Sequence, residues 1–440
     1  MNILTNRIAK IISAVACVVI NPSVFAQMQT PKIEDFTVNG IHVVMRQSDN
    51  QVVAIGVIIK GGYGYNETNN PYIAKGMADV TTSSGSEKYS KDAFRASKER
   101  MVTTITGSGD YYYISYWLRC VKPQLDKSWD MLADVIMHPL YDSVEWRNIR
   151  DNEVNDINDR KSSPDRWASF VCDSIYRQSN SRFGRTTEVS DVQGTTLAEM
   201  KQFHDMMMQK SRMTIIVVGN ISRDEITNKL AEFGALPDGS LPSLANNHFT
   251  PPAQSEVFVD NRPKIPTTYV YGLAGAPDRT SQDFWAAKLT SQYLSEKFFE
   301  EVRTKRNLSY APYCYVTGTM HNYRFMLGVS SVLPDSAVGV ELTEIKKVQN
   351  GDIDKKTFED EKNVYITNYY EGKMTNLDQA MELSSALRET GDWHDAYKIN
   401  NILTVTPGDA QRFASKYLHN ILYSISGDKS KVTDDKILFN

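Results

Sequence analysis

The sequence predicts an α+β fold of two homologous domains, each an antiparallel-rich sheet with helices packed on one face. Two observations support this prediction. An apolar, β-branched run that ends near glycine residues opens each half of the chain, at residues 52–59 and again at 267–273. Such runs are typical of buried strands that lead into turns. Each half also closes with a helix followed by a strand, which indicates a duplicated unit.

The closing elements of the two halves match most closely. In the first half, Thr196 begins a capping box, and the strand pattern 213–218 follows the helix. In the second half, Thr406 precedes a helix with proline at its first position, and the strand pattern 421–425 follows. A hydroxyl side chain satisfies a free backbone N–H at a helix start, and proline suits the first helical position. We therefore expect the same helix–strand pair at the end of both domains.

The first half contains further strand signals. Residues 41–45 and 52–59 resemble strands and flank a polar turn at 48–50, which predicts a β-hairpin. Residues 103–118 contain two more strands, separated near the glycines at 107–109. Because strands joined by a short turn run antiparallel, we expect an antiparallel sheet. The helical patterns between the strands then cover one face of that sheet.

The domain boundaries follow from the chain length and from one proline-rich segment. The 440 residues exceed one ordinary core and suit two domains of about 200 residues each. Residues 236–262 are rich in proline, serine and asparagine, as interdomain linkers are. We predict an N-terminal domain at 27–235 and a C-terminal domain at 263–440. Within the linker, residues 256–259 have the pattern of a strand that begins the second domain.

The N-terminal residues have the pattern of an export signal. A cationic start precedes an apolar stretch at 11–20, and small residues precede Gln27. This pattern predicts a signal peptide at 1–26 and an exported, periplasmic protein. Cys17 offers an alternative, a lipoprotein acylation site, although the apolar stretch continues beyond it.

Composition excludes several classes of function. A net charge of −4 leaves no basic footprint for nucleic acid, and 41% hydrophobic residues fit a globular protein. Beyond the signal, no apolar segment is long enough to span a membrane. The remaining cysteines, Cys120, Cys172 and Cys314, have no metal-type spacing and are expected to be buried thiols.

One helical segment points to a peptidase family. Residues 72–80 read YIAKGMADV, and a later helical pattern at 153–157 reads EVNDI. Together with the order of the elements, these segments resemble the M16 (insulinase or pitrilysin-like) peptidase family, over about residues 33–430. In that family, an HxxEH helix supplies two histidine ligands of zinc and a glutamate base. A glutamate about 75 residues later is the third ligand.

The resemblance implies that this chain has lost the zinc site. Lys75 and Asp79 occupy the two histidine positions, Ala78 occupies the position of the base, and Asp156 is assigned to the third ligand. Lys75 places a cation where zinc needs a ligand, and Ala78 removes the proton acceptor. We therefore expect no cofactor in this chain, and zinc in a partner subunit. A metal site assembled elsewhere from dispersed histidines is an alternative, although no two histidines lie within five residues.

The second half retains another feature of the family. Residues 299–311 read FEEVRTKRNLSYA, in which Arg303 and Tyr310 match the family's substrate-contacting arginine and tyrosine. Both side chains can donate hydrogen bonds to a peptide carbonyl. Family members also bind extended peptides along a sheet edge. The corresponding candidate edge in this chain consists of Thr103, Thr104, Ile105 and Thr106.

These features favour one function and leave two alternatives. The resemblance implies a non-catalytic, substrate-clamping subunit of a two-subunit periplasmic zinc peptidase, paired with a homologous HxxEH-bearing subunit as a heterodimer. The first alternative is a peptide-binding or scaffold pseudo-peptidase without a proteolytic partner. The second is a metallopeptidase with a rearranged metal site.

Overall fold

Two sheets organise this computed structural model, which describes residues 32–66, 70–177, 183–240, 244 and 248–433. The predicted signal peptide and Cys17 lie outside the described residues. In the described part, the first sheet has the strand order β1-β2-β6-β3-β5-β4. Its strands are β1 (Ile33–Val38), β2 (Ile41–Gln47), β3 (Val52–Lys60), β4 (Thr104–Gly109), β5 (Tyr113–Val121) and β6 (Met213–Gly219).

The second sheet repeats the arrangement of the first. Its described strands are β7 (Glu256–Asn261), β8 (Thr268–Gly275), β9 (Tyr313–Thr319), β10 (Asn322–Ser331) and β11 (Leu422–Gly427). The order is β7-β11-β8-β10-β9, which matches β2-β6-β3-β5-β4 of the first sheet. In both sheets the strand that comes last in the sequence is inserted between two earlier ones, parallel to one and antiparallel to the other. The two sheets therefore have one topology, as the repeated sequence signals indicated.

The predicted hairpin between residues 41–45 and 52–59 is wrong. Strand β6 lies between β2 and β3, because it completes the hydrogen bonding of both. The hairpin at this end of the sheet joins β1 to β2 instead. Its turn consists of Asn39 and Gly40, whose φ angles of 51° and 84° suit a two-residue hairpin turn.

The antiparallel pair β4–β5 is confirmed, but its turn lies later than expected. Strand β4 continues through the glycines at 107–109. The chain reverses at Asp110, whose Oδ1 accepts hydrogen bonds from the backbone N–H groups of Tyr112 and Tyr113 at 2.7 and 2.8 Å. The glycines at 107 and 109 therefore do not form the turn, and they instead allow close contact between β4 and the helix that contains Ala74 and Ala78.

Helices occupy the segments between the strands. They are α1 (Ile73–Ser83), α2 (Lys91–Met101), α3 (Leu125–Met137), α4 (Ser143–Ser162), α5 (Pro164–Arg177), α6 (Val189–Gly194), α7 (Leu197–Met207), α8 (Arg223–Lys229), α9 (Phe284–Phe298), α10 (Pro334–Gln349), α11 (Lys355–Glu371), α12 (Asn376–Thr390) and α13 (Pro407–Tyr417). The predicted caps are confirmed, since Thr196 and Thr406 each form a capping box at the start of α7 and α13.

Each sheet carries a helix from the other half of the chain. Helix α12 packs on the first sheet, where Leu383 and Ala386 contact a cluster that includes Val44 and Ile216. Helix α5 packs on the second sheet, where Cys172 joins a cluster with residues of β8, β10 and β11. The predicted α+β fold with two homologous sheets is confirmed. The prediction of helices on one face was incomplete, because the sequence gives no sign of this exchange.

Two further expectations concern the segment between the sheets and the membrane. The predicted linker includes β7, which pairs in parallel with β11 and so belongs to the second sheet. Cys120, Cys172 and Cys314 are buried and free, as expected. Among the described residues, no helix combines the length and the apolar character needed to cross a bilayer.

Candidate functional site

Helix α1 lies directly against the edge strand β4, because that strand contains two glycines. A Cβ atom at Gly109 would lie 2.4 Å from the backbone carbonyl carbon of Ala74, and one at Gly107 would lie 2.6 Å from the carbonyl oxygen of Ala78. Any larger residue would push the helix away from the sheet. The glycines thus fix the position of the helix that carries Lys75, Ala78 and Asp79.

Lys75 and Asp79, which the sequence resemblance placed at zinc-ligand positions, form an ion-paired triad with Glu153. The ammonium of Lys75 donates hydrogen bonds to Asp79 Oδ2 at 2.9 Å and to Glu153 Oε2 at 2.7 Å. Glu153 lies on α4, which packs against α1. The exposed fractions of the three side chains are 44% for Lys75, 27% for Asp79 and 20% for Glu153. Ala78 is fully buried beside them.

The electrostatics of the triad keep Lys75 charged. Burial opposes the charged form of Lys75, but the Asp79 carboxylate and the hydrogen bonds to Glu153 and Asp79 outweigh it, so its pKa is raised. Burial also raises the pKa of Asp79, and Lys75 offsets only part of this effect. The cation is therefore permanently present at neutral pH, and its charge is shared between two carboxylates.

The structure does not bring Asp156, the residue assigned to the third ligand, to Lys75 and Asp79, because Glu153 lies there instead. Asp156 Oδ1 is 2.7 Å from Arg166 Nη2, in an exposed ion pair away from the triad. On α4, Trp146 and Ile157 are buried, and Glu153 follows Trp146 by seven positions and precedes Ile157 by four. These spacings place Glu153 on the inward face of the helix and Asp156 to one side of it. The apolar stripe could have identified Glu153 from the sequence.

The triad does not fit a zinc ion. Zinc needs neutral imidazoles or anions, and three protein ligands at a catalytic site. Here the ammonium of Lys75 lies between the two carboxylates and would repel a divalent cation. Across the described ranges, no group of three or more His, Cys, Asp or Glu side chains could hold a metal ion.

Arg303 and Tyr310 come together on the second half of the chain. Arg303 belongs to a π-helical turn, Phe299–Thr304, that continues α9. Its guanidinium carbon lies 4.3 Å from the ring centroid of Tyr310 and 4.6 Å from that of Phe299. Tyr310 is 78% exposed. The arginine is thus held between two aromatic rings at the surface, an arrangement that fixes the plane of its donors.

The neighbouring acidic residues are engaged elsewhere. Glu301 pairs with Lys305 and Arg306, and hydrogen bonds from these two side chains lower its pKa to about 2. Glu300 pairs with Lys297 and Lys305. In the part of the chain that the structure describes, no carboxylate lies within ion-pair distance of Arg303. Its donors are therefore available to a ligand.

The candidate edge strand lies at the edge of its sheet. Strand β4 pairs only with β5 among the described strands. Thr104 and Thr106 lie on it with Ile105, which is buried. Thr103 precedes the strand, and its hydroxyl group makes a 2.8 Å hydrogen bond with Ser128 in the interior. The exposed edge therefore begins one residue later than predicted.

The tyrosine-rich segment that follows β4 divides between two environments. Tyr113 and Trp117 pack on the face of the first sheet that α12 covers. Packing against a helix therefore explains these two rings. Tyr111 and Tyr112 lie in the turn and line a cleft between the two halves.

Comparisons with known proteins show the family of the chain. The family described as "Insulinase (Peptidase family M16)" matches residues 42–182, and the one described as "Peptidase M16 inactive domain" matches residues 195–365. The "Probable inactive metalloprotease YmfF" of Bacillus subtilis is 20% identical over 355 residues, which cover 73% of this chain and 80% of that protein.

Solved structures show the same fold. A peptidase M16 inactive domain from Pseudomonas fluorescens superposes with a TM-score of 0.78 at 17% identity, covering 90% of this chain and 98% of that one. The periplasmic protease PqqL from Escherichia coli superposes with a TM-score of 0.74 at 12% identity, covering 91% of this chain and 47% of that one. With matches to two consecutive M16 domains and this shared fold, the chain is a member of the M16 peptidase family.

Proposed function

We propose that this chain is the non-catalytic, substrate-clamping subunit of an exported two-subunit M16 zinc peptidase. Its partner is a homologous chain with an intact HxxEH helix, which supplies the zinc and the base. One observation carries the proposal most directly. Arg303 is stacked between Phe299 and Tyr310 and has no carboxylate partner among the described residues.

The chemistry of the pair suits a peptide carbonyl. A guanidinium presents several N–H donors in a fixed plane, and the Tyr310 hydroxyl adds another donor beside it. Donors fixed before the reaction stabilise the negative charge that develops on a carbonyl oxygen during peptide cleavage. The partner's zinc would activate the attacking water. The present chain would contribute binding and orientation of the peptide.

The relatives support a non-catalytic, exported subunit. The Bacillus subtilis relative is described as a probable inactive metalloprotease. PqqL is described as a periplasmic protease, and this chain aligns with about half of its length. A chain that aligns with about half of PqqL, and whose described residues include no group that could hold a metal ion, suits an assembly in which a second chain completes the enzyme.

The test combines the purified chain with an exported homologue that carries HxxEH. We expect cleavage of an unstructured peptide only by the mixture. We expect Arg303→Ala to lower kcat by about 100-fold, as the loss of one oxyanion donor does in other peptidases. The matched control is Arg306→Ala, which removes a nearby exposed arginine that pairs with Glu301. This control should keep nearly full activity.

Other outcomes would contradict the proposal in distinct ways. Full activity of the Arg303→Ala mixture would remove the clamping role. Cleavage by the isolated chain with one bound zinc would favour a rearranged metal site. Peptide binding without cleavage in any mixture would favour the scaffold alternative.

A further inference from the structure

A cleft between the two halves of the chain remains outside the proposed role of Arg303 and Tyr310. It has a volume of about 580 Å³, and residues of α1, α4, α5, the β4–β5 turn, β9 and β10 line it. Its size is within the range of ligand pockets in proteins. Neither Arg303 nor Tyr310 lines it.

The cleft has an excess of positive charge. Its lining includes five basic side chains and three acidic ones. Lys75 is paired with Glu153, and Arg324 Nη2 is 3.1 Å from Asp173 Oδ1. For Arg160 and Arg177, no carboxylate lies within ion-pair distance among the residues that the structure describes. Arg160 and Arg177 therefore face the cleft with no paired anion in the described part of the chain.

Several buried polar atoms at this place lack hydrogen bonds. Within the described residues, the Nε atoms of Arg177 and Arg324 are buried and have no hydrogen-bond partner, and Asp173 Oδ1 also has none. The contact between Asp173 and Arg324 is thus one of charge alone. Burial lowers the pKa of Arg177, Asp173 partly offsets this, and Arg324 adds to it. Buried donors without a partner are costly and are expected to bind a ligand or water.

Aromatic rings hold the arginines and form an apolar wall. The guanidinium carbon of Arg160 lies 4.4 Å from the ring centroid of Phe170, and that of Arg177 lies 5.9 Å from that of Phe249. Phe183 stacks on Phe249, and Tyr111 meets Phe183 edge to face. Stacked arginines keep their N–H edges directed for two-point binding of a carboxylate. An apolar group beside that carboxylate can rest on the rings.

We propose that this cleft binds the carboxylate group of a peptide, with Arg177 and Arg324 as its principal donors and the aromatic wall as the seat of the adjoining side chain. The inference names a substrate class for the proposed clamping subunit and rests on that function for its biological setting. The binding itself requires only this chain. The carboxylate comes from the C-terminus of the peptide or from an acidic side chain.

Fluorescence anisotropy of the full chain distinguishes these sources. The probes are three labelled alanine-rich hexapeptides: one ending in phenylalanine with a free carboxylate, its C-terminal amide, and an amide with one internal glutamate. Tighter binding of the free acid alone identifies the C-terminus. If the free acid and the glutamate peptide both bind more tightly than the neutral amide, and by the same factor, the cleft accepts either carboxylate. If neither binds more tightly than the neutral amide, the inference is wrong.

Variants test the assigned donors. Arg177→Gln and Arg324→Gln should each weaken binding of the carboxylate peptide by about 10-fold or more. Arg166→Gln is the matched control, because Arg166 lies on the same helix but pairs with Asp156 outside the cleft. Asp173→Asn removes the competing carboxylate and should tighten binding several-fold, which a misfolded protein could not do.

The outcomes separate this inference from the proposed function. Unchanged affinity in both arginine variants, or weaker binding in Asp173→Asn, would overturn the carboxylate site. Cleavage by the mixture that depends on Arg303 would still support the clamping role. If the mixture shows no cleavage and the carboxylate preference persists, only the proposed function fails.

Discussion

The Lys75 triad and the Arg303–Tyr310 pair each contain a cation, but the surroundings of the two cations differ. Lys75 is neutralised by Asp79 and Glu153 within 3 Å. Arg303 is stacked on two rings and, across the described residues, has no carboxylate within ion-pair distance. The charge of Lys75 is compensated within the fold, whereas the N–H donors of Arg303 are available to a ligand. The comparison teaches that, among the described residues, the fold compensates the charge of one cation and leaves the donors of the other free for a ligand.

The largest expected effect comes from removing the internal cation. Lys75→His with Asp79→His, on a chain that retains Glu153, restores two imidazoles and one carboxylate around a single point. We expect the double variant to bind one zinc with a Kd of about 1 μM or tighter, worth about 8 kcal/mol. Ala78 should stay unchanged, because it is fully buried. Isothermal titration calorimetry measures the binding.

The same background tests the correction of the third ligand. Adding Glu153→Gln should weaken zinc binding by at least about 10- to 100-fold, the cost of losing even an outer-shell partner. Adding Asp156→Asn should leave the affinity unchanged, because Asp156 pairs with Arg166. The opposite result would restore Asp156 to the ligand position.

A smaller effect is expected at the open cation. Tyr310→Phe keeps the ring that stacks on Arg303 and removes only the hydroxyl group. We expect kcat/KM of the two-subunit mixture to fall by about 10-fold, the equivalent of one hydrogen bond to a charged or developing anion. Tyr310→Ala should cost more, because Arg303 also loses its ring. Equal activity of Tyr310→Phe and the wild type would assign Tyr310 to stacking alone.

The smallest expected effect is the loss of folding stability when Lys75 is removed from the triad, together with the dependence of that loss on pH. Lys75→Ala leaves Asp79 and Glu153 facing each other, and we expect a loss of about 1–2 kcal/mol at pH 7, between the values for exposed and buried pairs. The pKa of Asp79 is already raised in the folded chain. A carboxyl group whose pKa is raised by folding destabilises the fold when it is ionised. The stability loss caused by Lys75→Ala should therefore shrink as the pH falls and Asp79 becomes protonated, towards its ordinary pKa of 3.8.

Urea unfolding at pH 7 and pH 4 measures this difference. Lys356→Ala is the control, because Lys356 and Asp360 form an exposed pair of the same i, i+4 spacing. It should change stability by less than about 0.5 kcal/mol at either pH. Equal losses for Lys75→Ala at the two pH values would show that repulsion between the carboxylates is not the cause.

Local signals predicted local structure well. Thr196 and Thr406 form the expected capping boxes, because a cap depends on a few consecutive residues. The predicted hairpin at 48–50 was wrong because β6, which lies far along the chain, is inserted between the two strands. The Asn39–Gly40 dipeptide is the stronger turn signal in the sequence. Asn-Gly favours the positive φ angles that a two-residue hairpin turn requires, and both residues adopt them.

Residue types carried one part of the site prediction, and geometry decides the rest. The prediction that the zinc site is lost rests on the chemistry of Lys75 and Ala78 alone. Choosing between Glu153 and Asp156 required the face of α4, which a count of positions alone did not supply. The cleft with Arg177 and Arg324 joins elements from both halves, so no sequence interval could have revealed it.

The exchanged helices limit how relatives of this chain can recombine. A crossover placed in the segment between the sheets would combine α5 of one parent with the second sheet of another, and α12 with a foreign first sheet. The clusters around Cys172 and around Leu383 would then mix side chains that were never selected together. Because interiors are closely packed, such chimaeras would carry two mismatched interfaces. We therefore expect a chimaera joined between the two sheets to be less stable than either parent, even though each half repeats the topology of the other.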